Sequence, residues 1–274
     1  MIIDGRKIKD DILFEVKMGV ERLPFVPVFC DILVGTDPVS AQYVRMKEKT
    51  AESVGIKFLK SEFPISITTE ELVEAIDNLN RVPHMCGIIV QLPLPVHINR
   101  QEVLDAIAPH LDVDCLGSIA SSEFYNNKNP IGFPAALACV TILGSIGIDL
   151  KDKNIVMLGQ GNLVGKPVTH LLRNRNLEIK TINKNTENTD DILLNADIII
   201  SGIGQGKFIN GDKIKKGAII IDAGTSEDNG GVVGDVDLDS VIDVASYVSP
   251  TPGGVGPVTV AILLRNVLMV GQNK

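Results

Sequence analysis

The chain has only four cysteines, Cys30, Cys86, Cys115 and Cys139, and no two form a C-x-x-C pair. That scatter suggests neither a disulfide framework nor a zinc site, and a reducing cytoplasm is the natural compartment. Positive charge is also short: 26 Lys and Arg stand against 34 Asp and Glu, a net charge of −8. An acidic surface attracts neither nucleic acid nor an anionic membrane, although local basic pockets for small anions remain open. The first residues, MIIDGRKIKDDILFEV, carry charges every few positions and lack the apolar core of a signal peptide. The most apolar long segment, 255–271, contains Arg265 and Asn266 and reads as too short to span a bilayer. No internal repeat or low-complexity tract is evident. The expectation is a soluble intracellular protein.

What is present suits a well-packed α/β protein: 274 residues, 45% hydrophobic, 22% charged, with 25 glycines. Short apolar runs at 27–34, 56–60, 86–91, 154–158, 178–182, 197–201 and 218–222 read as strands. Amphipathic stretches at about 5–22, 40–54, 69–80, 100–107, 134–146, 164–174, 189–195 and 257–270 read as helices. Strands apolar throughout and separated by helices imply parallel sheets covered on both faces. The polar stretch 117–130 reads as a loop and a crossing between two lobes, and 249–257 (SPTPGGVGP) as a second crossing. The expected domains are 1–118 plus 253–274, with the last helix returning to the first lobe, and 119–252, a Rossmann-like dinucleotide-binding lobe.

Residues 154–172, NIVMLGQGNLVGKPVTHLL, run from an apolar strand through Gly159, Gly161 and Gly165 into a helix. Glycines at such a turn let the backbone approach a pyrophosphate, and the helix N-terminus offers free N–H groups. The spacing is G-x-G-x-x-x-G rather than G-x-G-x-x-G, so the strand–turn–helix context carries the dinucleotide reading over that of a tight turn without ligand. The next strand ends at Asn183-Lys184, where an NAD site usually places an acid; a lysine there suits a 2′-phosphate and favours NADP over NAD. Singly, Lys184 reads equally as a surface lysine.

Gln91, in QLPLP at 91–95, follows the apolar run CGIIV at a strand end, where α/β ligand crevices form. Asp112 and Asp114 lie two apart, and the case for a metal on this carboxylate pair is thin. Hydrogen bonding to a flat amino-heterocycle and solvated loop acids are the other readings. PTPGGVGPVT at 251–260 is stiff at its prolines and bare at its glycines, a candidate binding loop. In YVRMKEK at 43–49, Tyr43 and Lys47 share one helix face while Lys49 turns away from it, with Ser40 a fair N-cap. A lysine in a partly dry cleft can pass protons near neutrality, whereas an exposed helix leaves both lysines in water.

Together these segments resemble the bifunctional methylenetetrahydrofolate dehydrogenase/cyclohydrolase family nearly end to end. The carrying motifs are Tyr43-x-x-x-Lys47-x-Lys49 with Val54-Gly55-Ile56, Gln91-Leu92-Pro93-Leu94-Pro95, Asp112-Val113-Asp114, Val164-Gly165-Lys166-Pro167, Gly234-Asp235-Val236-Asp237 and Pro252-Gly253-Gly254-Val255-Gly256-Pro257-x-Thr259. The resemblance implies oxidation of 5,10-methylenetetrahydrofolate by NADP, then hydrolysis of the methenyl product to 10-formyltetrahydrofolate, in the one-carbon metabolism that feeds purine biosynthesis. It also implies an N-terminal folate-binding lobe and a cytoplasmic homodimer. By the same resemblance Lys47 is the proton carrier of the hydrolytic step, Tyr43 packs on the folate, Gln91 orients Lys47, and Asp114 hydrogen-bonds the pterin. Pro252, Gly253, Gly254 and Val255 would line the folate cleft. Gly159, Gln160, Gly161, Val164, Gly165, Lys184, Thr225 and Thr259 would hold the coenzyme, with no metal. The chain departs from the family at Gln160-Gly161, where Arg-Ser is usual, at 131–134, at Cys115 and at 224–226. NAD therefore stays open beside NADP. The alternatives are a monofunctional or NAD-dependent dehydrogenase acting on a folate-like carrier, and a non-catalytic nucleotide-binding regulator.

Overall fold

The computed structural model describes residues 1–228 and 231–274. They form two compact units, one of Asp11–Pro134 with Val260–Lys274, the other of Met1–Asp10 with Ala135–Thr259. In chain order the elements begin α1 (Gly5–Val20), β1 (Val28–Val34), α2 (Pro38–Ser53), β2 (Lys57–Phe63) and α3 (Thr69–Leu79). Then follow β3 (Met85–Val90), α4 (Arg100–Asp105) and α5 (Ser118–Tyr125). The strands form a parallel sheet in the order β2-β1-β3. As the central strand, β1 is buried at every position, which is why VFCDILV is apolar almost throughout.

Helix α2 starts one turn earlier than the Ser40 cap expected from sequence. Asp37 is the N-cap, its Oδ2 accepting from the Ser40 backbone N–H at 2.7 Å, and Pro38 follows at the first turn. Proline is tolerated there because its missing N–H would have had no helical partner. Among the described side chains of this stretch, Ser40, Val44, Lys47, Ala51 and Val54 are buried. Their 4-3-4-3 spacing is the core-facing stripe of an amphipathic helix, and a lysine sits in its middle.

The stretch 117–130 is not wholly loop, since α5 occupies its first half. Ala120 and Phe124, one turn apart, are buried. Phe124 meets Tyr125 and Phe133 edge-on, at ring centroid distances of 5.2 and 5.1 Å. This aromatic cluster supplies the packing that the weak sequence periodicity did not announce.

In the second unit the elements continue as α6 (Pro134–Ser145), β4 (Ile155–Leu158), α7 (Gly165–Arg173), β5 (Ile179–Ile182) and α8 (Thr189–Leu194). Next come β6 (Ile198–Ser201), β7 (Ile219–Asp222), β8 (Ser226–Asp228), β9 (Gly231–Val233), α9 (Leu238–Val241) and β10 (Tyr247–Ser249). Its parallel sheet has the order β10-β7-β6-β4-β5, and β8 and β9 form a separate antiparallel ribbon. The order reverses beside β4, so the loop after β4 opens at a topological switch point, where ligands bind in open α/β sheets.

The last helix, α10 (Val255–Gln272), has 18 residues and is long and apolar enough to cross a membrane by composition, yet 67% of it is buried within the protein. Its residues from Val260 on belong with the β2-β1-β3 unit. There Asn266 is buried, its amide donating to the carbonyls of Val113 and Gly132, both at 2.9 Å. The polar residue inside this apolar helix thus ties down two loops.

Candidate active site

In the first unit the odd-numbered side chains of β1 alternate away from Val28, Cys30 and Ile32. Among them is Asp31, fully buried. Lys47 comes down onto it from α2, its Nζ 2.6 Å from Asp31 Oδ2. The same ammonium donates to Gln91 Oε1 at 2.7 Å. Gln91 follows β3 directly, its backbone N–H still bonded to the Ile32 carbonyl of β1, so the sheet itself sets its position. Its amide nitrogen donates to the Leu92 carbonyl at 3.1 Å, which fixes which end of the side chain faces Lys47.

Lys47 is 7% exposed and is the only buried cation among the described residues. Tyr43, one turn earlier on the same face, is 39% exposed, leaving its ring free to meet a ligand. Lys49 points to solvent.

Asp31 is an unusual anion. Apart from the contact with Lys47 it has no hydrogen-bond partner on either oxygen. Burial raises its carboxyl above the ordinary carboxylate range, against the opposing pull of Lys47. Asp114 is half-buried by accessible surface, but protein atoms surround its carboxylate closely. Desolvation pushes it up to about 6, Lys47 pulls it down and Asp31 pushes it up. One cation therefore faces two carboxylates. Asp112 is placed differently. It is buried, and its Oδ2 accepts from the Gly117 N–H at 2.7 Å. Burial lifts it to about 7. The two acids of DVD thus divide, one shaping the loop and the other standing near Lys47. Among the described residues no group of three or more His, Cys, Asp or Glu gathers to hold a metal ion.

In the second unit β4 runs into Gly159, at φ +94°, and α7 begins at Gly165. Two of the glycines have different reasons. A Cβ on Gly165 would stand 2.1 Å from the Gly159 carbonyl oxygen, so the close packing of helix on strand requires its absence. A Cβ on Gly161 would meet nothing within 4 Å. The protein's own packing makes no demand at Gly161, whose bare backbone faces open space at the switch point and the start of a helix. That fits a pyrophosphate. Gln160 folds back, donating to the Gly159 carbonyl at 2.9 Å and to the Thr169 hydroxyl at 3.2 Å. Lys184, just past the end of β5, is exposed. Val164 caps α7 and is half-buried, while Thr225 is exposed beyond the end of β7.

Gly234-Asp235-Val236-Asp237 proves to be a brace for this end of the sheet. Asp222, the last residue of β7, accepts from the N–H groups of Gly224, Asp235 and Val236 at 2.9–3.1 Å. Asp235 accepts from Ser201 Oγ at 2.6 Å and from the N–H groups of Ile203 and Gln205. Burial, then the charge of Asp235, pushes Asp222 up to about 7. In the loop before α10, Pro252 is exposed, Gly253 is half-buried at φ +109° and Gly254 is buried, as is Val255, the first residue of α10. Thr259 Oγ1 is bonded to the Val255 carbonyl at 3.0 Å. A concavity at the other end of β4 and β5 is lined by residues 150–156 and 176–180, with Arg173, Glu187 and Asp191.

Lys47, Gln91 and Asp114 are therefore brought to one place, with Tyr43 a turn away, and the glycine turn stands in its own unit beside Lys184. Asp31 was not anticipated, although a single charge inside an otherwise apolar strand demands a buried partner.

An α/β fold with a dinucleotide-type turn in one unit and a buried lysine between carboxylates in the other defines a coenzyme-dependent enzyme class. The catalytic-domain model of tetrahydrofolate dehydrogenase/cyclohydrolase matches residues 3–114, and its NAD(P)-binding-domain model matches residues 134–274. The chain belongs to that family. The bifunctional protein FolD of Methanococcoides burtonii is 41% identical over 280 residues, covering 99% of this chain and 96% of its own. That of Clostridium beijerinckii is 38% identical, covering 97% and 95%. Among solved structures, the bifunctional FolD methylenetetrahydrofolate dehydrogenase/cyclohydrolase of Campylobacter jejuni superposes with a TM-score of 0.94 at 34% identity, covering 100% and 99%. The Trypanosoma brucei enzyme, in complex with NADP and an inhibitor, gives 0.93 at 34%, covering 100% and 97%.

Proposed function

We propose that the protein oxidises 5,10-methylenetetrahydrofolate to the 5,10-methenyl form with NADP and hydrolyses that product to 10-formyltetrahydrofolate. The observation that carries the reading is Lys47, a buried cation fixed by Gln91 and flanked by Asp31 and Asp114. Hydrolysis needs a group that takes a proton from water as oxygen bonds to the methenyl carbon. The same group returns that proton to N5 as the carbon–N5 bond breaks and its electron pair goes to nitrogen. The hydroxyl proton then leaves to solvent as the formyl carbonyl forms. An amine held at one point by a side-chain amide suits both transfers. Asp114 takes the role of hydrogen-bonding the pterin, and Tyr43 that of packing on the folate. Pro252, Gly253, Gly254 and Val255 take the role of further folate-binding residues, by the family resemblance.

NADP, when bound, accepts the hydride from the methylene carbon. Gly159, Gln160, Gly161, Val164 and Gly165 hold its pyrophosphate, Lys184 faces the 2′-phosphate, and Thr225 and Thr259 complete the site. Residues 1–118 with 253–274 serve the folate and 119–252 the coenzyme. The enzyme works as a homodimer in the cytoplasm. A specific observation keeps NAD as a second reading: Gln160 turns back onto its own loop and offers the 2′-phosphate no charge. Titration with a folate analogue, with and without NADP, tests the whole reading when NADP reduction and methenyl turnover are followed separately. Folate binding with both turnovers is the expected result, and no folate binding would defeat it.

A further inference from the structure

The proton that hydrolysis moves must rest somewhere while Lys47 acts as a base. Gln91 cannot take it, because an amide oxygen accepts a hydrogen bond but no proton at neutral pH. Asp31 Oδ2 also meets Nζ, at 2.6 Å. It is fully buried, and neither of its oxygens has a hydrogen-bond partner that would stabilise the anion beyond this one ion contact. An ionised carboxylate this poorly solvated gives up its charge readily. The incoming methenyl folate is itself a cation, and its arrival beside an ammonium favours moving the proton off Lys47.

We propose that Asp31 is the proton-holding, positioning partner of Lys47. On substrate binding the proton passes from the Lys47 ammonium to the Asp31 carboxylate, giving a neutral amine beside a neutral acid. The N–H bond breaks with its electron pair left on nitrogen, the O–H bond forms on Asp31, and the net charge of the pair is unchanged. The amine then accepts the proton of the attacking water. This inference rests on the assignment of Lys47 to the hydrolytic step.

The other groups around Asp31 leave room for this exchange. Asp114 adds a second negative charge nearby. Cys30, its neighbour on β1, is pushed up to about 12 by burial and stays a neutral thiol. On β2 the ladder partner of Asp31 is Lys60, whose ammonium is paired with Glu62 at 2.6 Å. On β3 the partner is the uncharged Ile89.

The consequence is a pH profile. An internal transfer needs no proton exchange with solvent, so wild-type hydrolysis, corrected for the spontaneous rate, should vary less than about twofold between roughly pH 6.5 and 8. In Asp31→Asn the lysine must lose its proton to water, so the rate should fall about tenfold per pH unit below its plateau. Asp31→Val, which matches the apolar strand, should give the same profile if the asparagine variant folds poorly, with circular dichroism as the fold check. Variant profiles parallel to wild type, even if uniformly lower, would mean a merely structural aspartate and overturn the proposal. A wild-type rate that itself climbs about tenfold per unit overturns it with no variant needed. If Lys47→Met hydrolyses normally, the Lys47 assignment fails and takes the proposal with it. If Lys47→Met is inactive and the Asp31 profiles match wild type, only the role of Asp31 fails.

Discussion

Replacing Lys47 with methionine leaves a slightly shorter unbranched side chain and strips Asp31 of the ammonium it meets at 2.6 Å. Removing one partner of a buried ion pair costs about 3–5 kcal/mol when the other stays charged. Here the aspartate can escape part of that cost by taking a proton. Burial already raises its carboxyl with Lys47 in place, and without the lysine the opposing pull is gone. Over the pH range between its wild-type and variant values, the folded variant binds a proton that the unfolded chain does not. Stability relative to wild type therefore falls as pH rises, by about 1.4 kcal/mol per unit, and levels off above the variant's own value. At low pH both states hold the proton and this pH dependence vanishes. Urea midpoints at about pH 5.5 and 8 measure this, with the loss expected mainly at the higher pH. The double variant Asp31→Val, Lys47→Met removes both charges and should recover most of the loss, since apolar replacement of a buried pair is often neutral or stabilising by about 1–4 kcal/mol. Equal loss at both pH values, with no recovery in the double variant, would refute the reasoning.

Gly161→Ala should leave the melting temperature nearly unchanged and weaken NADP binding, because its Cβ meets only open space; Gly165→Ala should destabilise the dinucleotide unit itself, its Cβ lying 2.1 Å from a carbonyl oxygen. Thermal unfolding and coenzyme titration on the two variants separate these effects. Lys184→Ala should raise the KM for NADP far more than that for NAD, and equal effects would mean that Lys184 does not face the phosphate. Gln91→Leu removes the acceptor at 2.7 Å and should lower the kcat of hydrolysis about 10- to 100-fold through loss of position. The KM for the methenyl substrate in the same assay should move much less.

The sheets were legible because parallel strands buried on both faces leave unbroken apolar runs, and runs such as MCGIIV and IVML announce themselves. The glycine turn was legible for the same local reason. Helix α5 was not, because its packing comes from Phe133, outside the segment, and tertiary contact outweighed a weak periodicity. The short β10 and the β8–β9 ribbon, with three residues to a strand, are too brief to show a period. At the site, helical register alone separated Lys47 from Lys49. Asp31 escaped notice because it is 16 positions from its partner and sits within an otherwise apolar strand. What joins the two is the packing of α2 on the sheet, which no local pattern encodes.

The most direct test is the hydrolysis of 5,10-methenyltetrahydrofolate by Lys47→Met, measured apart from NADP reduction and corrected for the spontaneous rate. A fall of at least about 100-fold in kcat is predicted, the scale of losing a positioned acid–base group. Hydrolysis at the wild-type rate would contradict it.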